Sequence, residues 1–157
     1  MEIELRPITP EDDDVLFEIF CSAHAHKFAL LELPEPQLEQ LLKIQFEGQR
    51  RDYRSRYPDA EFNLVLRSGE VIGQWFVDRQ AGHNTFIDIT ILPAHRTGIG
   101  TRLVREFLRE SRAADKPVHA HVEATNPARK LWLRMGFELV GDDGAYWALE
   151  YPGRQSD

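Results

Sequence analysis

The chain has 157 residues, 42% of them apolar, enough for one domain with one core. It carries no run of about 18 apolar residues for a membrane span, its N-terminus Met-Glu-Ile-Glu-Leu-Arg has no signal-peptide pattern, and its single cysteine, Cys21, cannot form an internal disulfide, so a reducing cytoplasm is the expected location. The net charge of −7 is uneven, with −8 in residues 1–90, +4 in 91–140 and −3 in 141–157, which argues against broad nucleic-acid binding and allows a local anion site.

Glu2–Pro7 alternates Ile3 and Leu5 with polar neighbours and predicts a short strand. Thr9-Pro10-Glu11-Asp12 then starts a helix, with an N-cap threonine, proline at the first position and acids in the first turn. Val15, Leu16, Ile19, Phe20 and Ala23 form its apolar face. Cys21 sits in this pattern and reads as a small core residue. His24 and His26 lie two apart, so they do not share a helix face and no metal site is expected. After a Pro34-Glu35-Pro36 break, a second helix places Leu38, Leu41, Leu42, Gln45, Phe46 and Gln49 on one side. Its basic end, Arg50 to Arg56, suits a helix C-terminus.

Glu61–Arg67, the turn Ser68-Gly69 and Glu70–Asp78 predict a hairpin. Phe86–Leu92 is the next strand, stopped at Pro93. The turn Arg96-Thr97-Gly98-Ile99-Gly100-Thr101 follows, and Leu103, Val104, Phe107 and Leu108 recur at helical spacing, so a helix begins near Gly98. A strand that passes through a glycine turn into a helix presents free N–H groups at the positive end of the helix dipole, which suits a phosphate. Other nucleotide motifs do not fit. No Lys-Ser/Thr follows the glycines, and no third glycine stands at the dinucleotide spacing. Val118–Glu123 alternates strictly, with Val118, Ala120 and Val122 on one face and His119, His121 and Glu123 on the other. Asn126 with Pro127 can start a short helix that Gly136 ends, and 138–150 reads as a closing hairpin.

The glycine turn resembles the acetyl-CoA loop of the GNAT N-acetyltransferase superfamily, whose pattern is Gln/Arg-x-x-Gly-x-Gly/Ala between a strand and a helix. Here His95 stands where the family has Gln or Arg, Arg96 is one place late, and the loop is one residue short. A second family pattern, Asn-x-(x)-Ala-x-x-Leu-Tyr-x-x-x-Gly-Phe, is matched at Asn126, Ala128, Leu131, Gly136 and Phe137, with Trp132 in the tyrosine's place. The resemblance spans nearly the whole chain in element order. It implies an α/β (α+β) fold in a single domain over residues 1–157. The sheet is mixed and mostly antiparallel, with about seven strands, a splayed parallel central pair and about four flanking helices.

The resemblance further implies transfer of an acetyl group from acetyl-CoA to a primary amine of a small molecule or peptide, with no metal. The pyrophosphate would rest on Arg96, Thr97, Gly98, Ile99, Gly100 and Thr101. The pantetheine arm would pair with Ile91 and Leu92, Asn126 would meet that arm, and Lys130 would reach a phosphate. For the base that takes the amine proton, Asp88 comes first, on a face shared with Phe86, Thr90 and Leu92, against the alternative of an aspartate paired with an arginine. Glu123 and His121 come next, then Asp78. The acid role is open between Tyr146 and water, and Trp132 reads as a packing residue. Glu32, Glu35, Asp142 and Asp143, in segments that shape the acceptor pocket of relatives, suit a cationic amine or ordinary loop solvation. No nucleic-acid or membrane partner is expected, and the oligomeric state is left open, a homodimer being one option. The other functional reading is an acetyl-CoA-binding sensor or interaction domain without turnover.

Overall fold

The computed structural model describes residues 2–124, 126 and 129–153. In chain order they form β1 (Ile3–Pro7), α1 (Asp13–Ala29), α2 (Glu35–Arg56), β2 (Glu61–Arg67), β3 (Glu70–Arg79), β4 (Asn84–Ile91), α3 (Ile99–Ala113), β5 (Val118–Glu123), α4 (Arg129–Arg134), β6 (Glu138–Asp142) and β7 (Tyr146–Tyr151). The strands make one seven-stranded sheet in the order β1-β2-β3-β4-β5-β7-β6, with β4 and β5 parallel. The fold class expected from the sequence is the one observed, and β5 has the limits read from its alternation. β4 starts two residues earlier than expected, at Asn84. The chain divides into two compact units.

The first unit comprises residues 2–76 and 88–97. β1 pairs antiparallel with β2, Ile3 opposite Arg67 and Pro7 opposite Asn63. Ser68 and Gly69 turn the chain into β3 with φ of 52° and 81°, the two positive values that a two-residue hairpin of matching twist requires. α1 and α2 bury Leu16, Ile19, Phe20, Leu42 and Phe46, and Phe46 sits 5.4 and 5.5 Å from the rings of Phe17 and Phe20. The start of α1 is anchored by Asp12. Its carboxylate accepts the Thr9 N–H at 2.7 Å and two Arg6 guanidinium bonds at 3.0 Å. Arg6, and then the Thr9 N–H, hold the Asp12 carboxyl down at about 2. Cys21 is half-buried, and burial pushes its thiol up, which suits packing and not attack.

The second unit comprises residues 77–87 and 98–153. β4 pairs with β5 over Asn84–Val118, Thr85–His119 and Phe86–Ala120. β5 pairs antiparallel with β7 along its whole length, from Val118–Tyr151 to Glu123–Tyr146. α3 buries Ile99, Leu103, Val104, Phe107, Leu108 and Ser111 along one stripe, the period that its sequence shows. Phe86 is the hub of this core, with Phe107, Trp132 and Phe137 at 4.8, 5.2 and 6.2 Å between ring centres. At the start of β4, the buried Asn84 Nδ2 donates to Ser111 Oγ at 2.9 Å.

One irregularity matters for the site. Leu92 N–H donates to Ile72 O at 2.8 Å, and Gln80 N–H donates to His83 O at 2.9 Å. Eight steps separate Ile72 in β3 from Gln80 just after it, and nine separate His83 just before β4 from Leu92 just after it. β4 therefore carries one extra residue, a β-bulge. Gly73 faces this stretch so closely that a Cβ would lie 2.2 Å from Thr90 O, so the position admits no side chain.

Candidate active site

The end of β4 fixes which backbone groups are free. Leu92 N–H is committed to Ile72 O of β3. Hydrogen-bonding direction alternates along a strand, so Ile91 points its N–H to the other edge. That is the edge on which pairing with β5 stops at Phe86. Of the two backbone positions expected to hold a pantetheine arm, Leu92 has therefore already spent its N–H, and that of Ile91 faces away from β3. Ile91 O accepts Arg96 Nε at 3.1 Å. Arg96 is thus folded back onto the strand end, and its terminal nitrogens have no partner among the described residues.

Pro93–His95 forms a 3₁₀ turn, closed by His95 N–H to Leu92 O at 2.9 Å. His95 Nε2 lies 3.7 Å from Glu70. After Thr97 the chain enters the second unit at Gly98, the N-cap of α3, with φ of 87°. A residue with a Cβ is strained at that angle, although nothing lies within 4 Å of where the Cβ would stand. The first internal bond of α3 is Arg102 N–H to Gly98 O at 3.0 Å. The N–H groups of Ile99, Gly100 and Thr101 precede it and have no partner inside the helix. They lie at the positive end of a 15-residue helix dipole.

The candidate side chains fall into two groups. In the first unit, the half-buried Asp88 accepts Gln74 Nε2 on one oxygen and Thr90 Oγ1 on the other, both at 2.9 Å. Among its partners are therefore an amide and a hydroxyl. It does not share surroundings with Phe86 two residues earlier. Phe86 meets α3 and α4, whereas Asp88 meets a β3 residue from the α1–α2 core, and the bulge explains the switch. In the second unit, Glu123 lies opposite Tyr146 at the end of the β5–β7 ladder, half-buried beside a tyrosine that is 49% exposed. His121, one ladder position away from Trp147, is exposed. Asp78 is 2% exposed, accepts Gln80 Nε2 at 2.6 Å through one oxygen, and has no partner for the other among the described residues.

Two acids read as suited either to a cationic acceptor or to ordinary loop solvation have structural work in their own turn. Asp142 accepts the Gly144 N–H, and Asp143 accepts those of Ala145 and Tyr146, so both fold the β6–β7 turn. The same backbone bonds lower the Asp143 carboxyl. Trp132 packs on Phe86 and edge-on against Phe137 at 5.1 Å. Asn126 N–H donates to Glu123 O, and Asn126 O accepts the Arg129 N–H. Lys130 is exposed on α4. Pro127 and Ala128, the expected first helical position and a motif position, lie outside the described residues.

A family model described as Acetyltransferase (GNAT) family matches residues 24–137. The chain belongs to this acetyltransferase family. No curated protein matches it. Among solved structures, PaiA N-acetyltransferase from Thermoplasma acidophilum in complex with coenzyme A is similar over 97% of this chain and 99% of its own, with 18% identity and a TM-score of 0.70. An acetyltransferase from Thermus thermophilus is similar over 97% of both chains, with 23% identity and a TM-score of 0.68. The family match spans β4, the Gly98 turn, α3 and the helix that ends at Gly136.

Sequence reasoning missed two residues of this acetyltransferase. Gln74 holds Asp88 together with Thr90, which the strand pattern already placed on the same face, and only the register of β3 against β4 reveals Gln74. Arg129 caps Ala124 O through its guanidinium and lies 4.8 Å from the Trp147 ring. Its sequence signal was the absence of an acidic neighbour to pair with.

Proposed function

We propose that the chain transfers an acetyl group from acetyl-CoA to a primary amine by direct attack, as a single acetyltransferase domain working in a reducing cytoplasm. The observation that carries this reading is the αL glycine at the cap of α3, which follows a strand whose pairing has stopped, in a chain of the acetyltransferase family. The backbone fits a coenzyme. The N–H groups of Ile99, Gly100 and Thr101 would take pyrophosphate oxygens, and Arg96 would add charge from the strand end. The turn from Thr97 to Gly98 would carry the backbone past the phosphates, and Asn126 and Lys130 would complete the contacts. Acetyl-CoA supplies an activated thioester.

The remaining chemistry belongs to the protein. An alkylamine with a reference pKa near about 10.4 arrives protonated. Asp88 takes its proton, directly or through water, with Glu123 next in order. The nitrogen lone pair forms the new C–N bond and the C–S bond breaks. The acyl oxygen gains charge during attack, and the Ile91 N–H is the donor placed to stabilise it. The attacking nitrogen, positively charged after the bond forms, gives its second proton to water, and the thiolate takes up a proton from water or Tyr146. Trp132 has no titratable proton to give.

Calorimetry with acetyl-CoA, followed by CoA release over a panel of amines, tests the reading. Binding with turnover is the expected result. Binding without any turnover would instead establish the sensor alternative, and no binding would end both.

A further inference from the structure

The first unit contains a small apolar cavity of about 30 Å3 that opens outward. Phe20, Phe46, Tyr53, Phe62 and Phe76 contribute five aromatic rings to its walls. The rings brace one another, with Tyr53 and Phe62 edge-on to Phe76 at 6.3 and 5.0 Å. The sheet adds one polar group, Gln74, which is 5% exposed and donates through Nε2 to Asp88. An ionised carboxylate can only accept, so this bond sets the amide with its nitrogen toward Asp88. The Gln74 Oε1 remains an acceptor for another donor. A cavity wall is therefore one hydrogen bond away from the proposed base.

The charged lining is cationic. Arg50 is matched by Asp13 at 2.9 Å and Glu47 at 3.3 Å, and it covers the Phe46 ring at 5.0 Å. Arg54 makes no ion pair among the described residues. Aromatic rings attract cations, but here one guanidinium already takes a ring face and another brings a charge without a counter-ion.

From this lining we infer that the acceptor is a monoamine on a compact apolar body, an alkylamine or arylalkylamine, and that polycationic amines are selected against. The inference rests on the acetyl-transfer reading and narrows its substrate. The apolar body gains from covering the open side of this small cavity, while the amine is directed to Gln74 Oε1 and, beyond it, to Asp88. A second ammonium would meet Arg54 with like charge.

The test uses the whole chain. Acetyl-CoA binding is measured first by calorimetry. CoA release is then followed with phenethylamine, hexylamine, putrescine, spermidine and kanamycin. The expected kcat/KM for the better monoamine exceeds that of every polyamine by about tenfold or more. Arg54 is exposed on α2, so Arg54→Glu leaves the fold in place, and it should narrow the monoamine-to-putrescine ratio by about threefold. A wild-type preference for putrescine, spermidine or kanamycin would overturn the inference. So would an unchanged ratio in Arg54→Glu, or no monoamine turnover in a chain that binds acetyl-CoA. Loss of acetyl-CoA binding itself would instead remove the acetyl-transfer reading beneath it.

Discussion

The Gly98 turn and the aromatic cavity are built from opposite materials. The turn offers backbone: an αL glycine, three N–H groups with no partner inside the helix and a helix dipole, with few side chains that matter. The cavity offers almost only side chains, five rings and one amide. A backbone site suits what is constant in a ligand, a pyrophosphate on the proposed reading, and it tolerates wide sequence change. A side-chain site binds what varies, and each substitution retunes it. The two regions should therefore fail differently. Damage to the turn should abolish coenzyme binding for every acceptor. Damage around the cavity should leave coenzyme affinity alone and change turnover or acceptor choice.

The largest expected effect is at the turn. Gly100→Glu puts a side chain and a negative charge beside the α3 N–H groups, against the pyrophosphate. Acetyl-CoA affinity should fall by about a hundredfold or more, since it loses charge-assisted bonds and gains like-charge repulsion. Calorimetry checks this, with circular dichroism to confirm the fold. Wild-type affinity in a folded variant would mean that the coenzyme does not rest on this turn.

Next is Asp88→Asn. The substitution keeps the shape and can keep both hydrogen-bonded neighbours, because Thr90 can still donate to the amide oxygen and the Gln74 amide can turn over. It removes basicity. If Asp88 is the base, kcat should fall by about a hundredfold, with coenzyme affinity unchanged. The deficit should shrink as pH rises, because more amine then arrives neutral. A normal kcat with a lowered melting temperature would make Asp88 a structural acceptor for Gln74 and Thr90 and move the role to Glu123.

That contrast also explains what could be read before the structure. Gly98, Gly100 and Pro93 punctuate the sequence because backbone geometry demands particular residues, so the turn and α3 were legible. The strict alternation of Val118–Glu123 gave β5 its limits. The bulge in β4 was not legible, since an extra residue changes no residue type, and it moved Asp88 away from Phe86 and toward Gln74. Gln74 itself has no motif. Its role depends on register, which is a long-range property. Asp142 and Asp143 showed the converse problem: acids in a loop look available for a ligand, yet the backbone of their own turn claims them.

Trp132→Phe should cost less. The indole packs between Phe86 and Phe137, and phenylalanine preserves most of that contact. Turnover should stay within about tenfold, roughly 1.4 kcal/mol in the barrier. A much larger loss at unchanged coenzyme affinity would give Trp132 a role in the acid step after all.

The smallest effect on activity is expected at Asp12, which belongs to neither region but anchors the start of α1, the helix that carries Leu16 and Phe20 into the cavity wall. Its carboxyl sits at about 2 when folded, against 3.8 as its ordinary value, because Arg6 and the Thr9 N–H favour the ionised form. A folded value below the unfolded one means that the unfolded chain binds protons more readily as pH falls. The stabilisation is therefore complete above about pH 4, shrinks as pH drops through the interval from 3.8 to about 2, and is gone below it. Asp12→Asn removes the titration and weakens the two guanidinium bonds, so it should cost about 1 kcal/mol of stability at neutral pH. Thermal melts of both proteins from pH 7 to pH 2 check this: the gap in melting temperature should close at the acid end. Acceptor preference, measured on the same amine panel, should not move. A shift in preference without a loss of stability would mean that the cavity depends on how α1 is anchored, and the line between a backbone-built turn and a side-chain-built pocket would have to be drawn elsewhere.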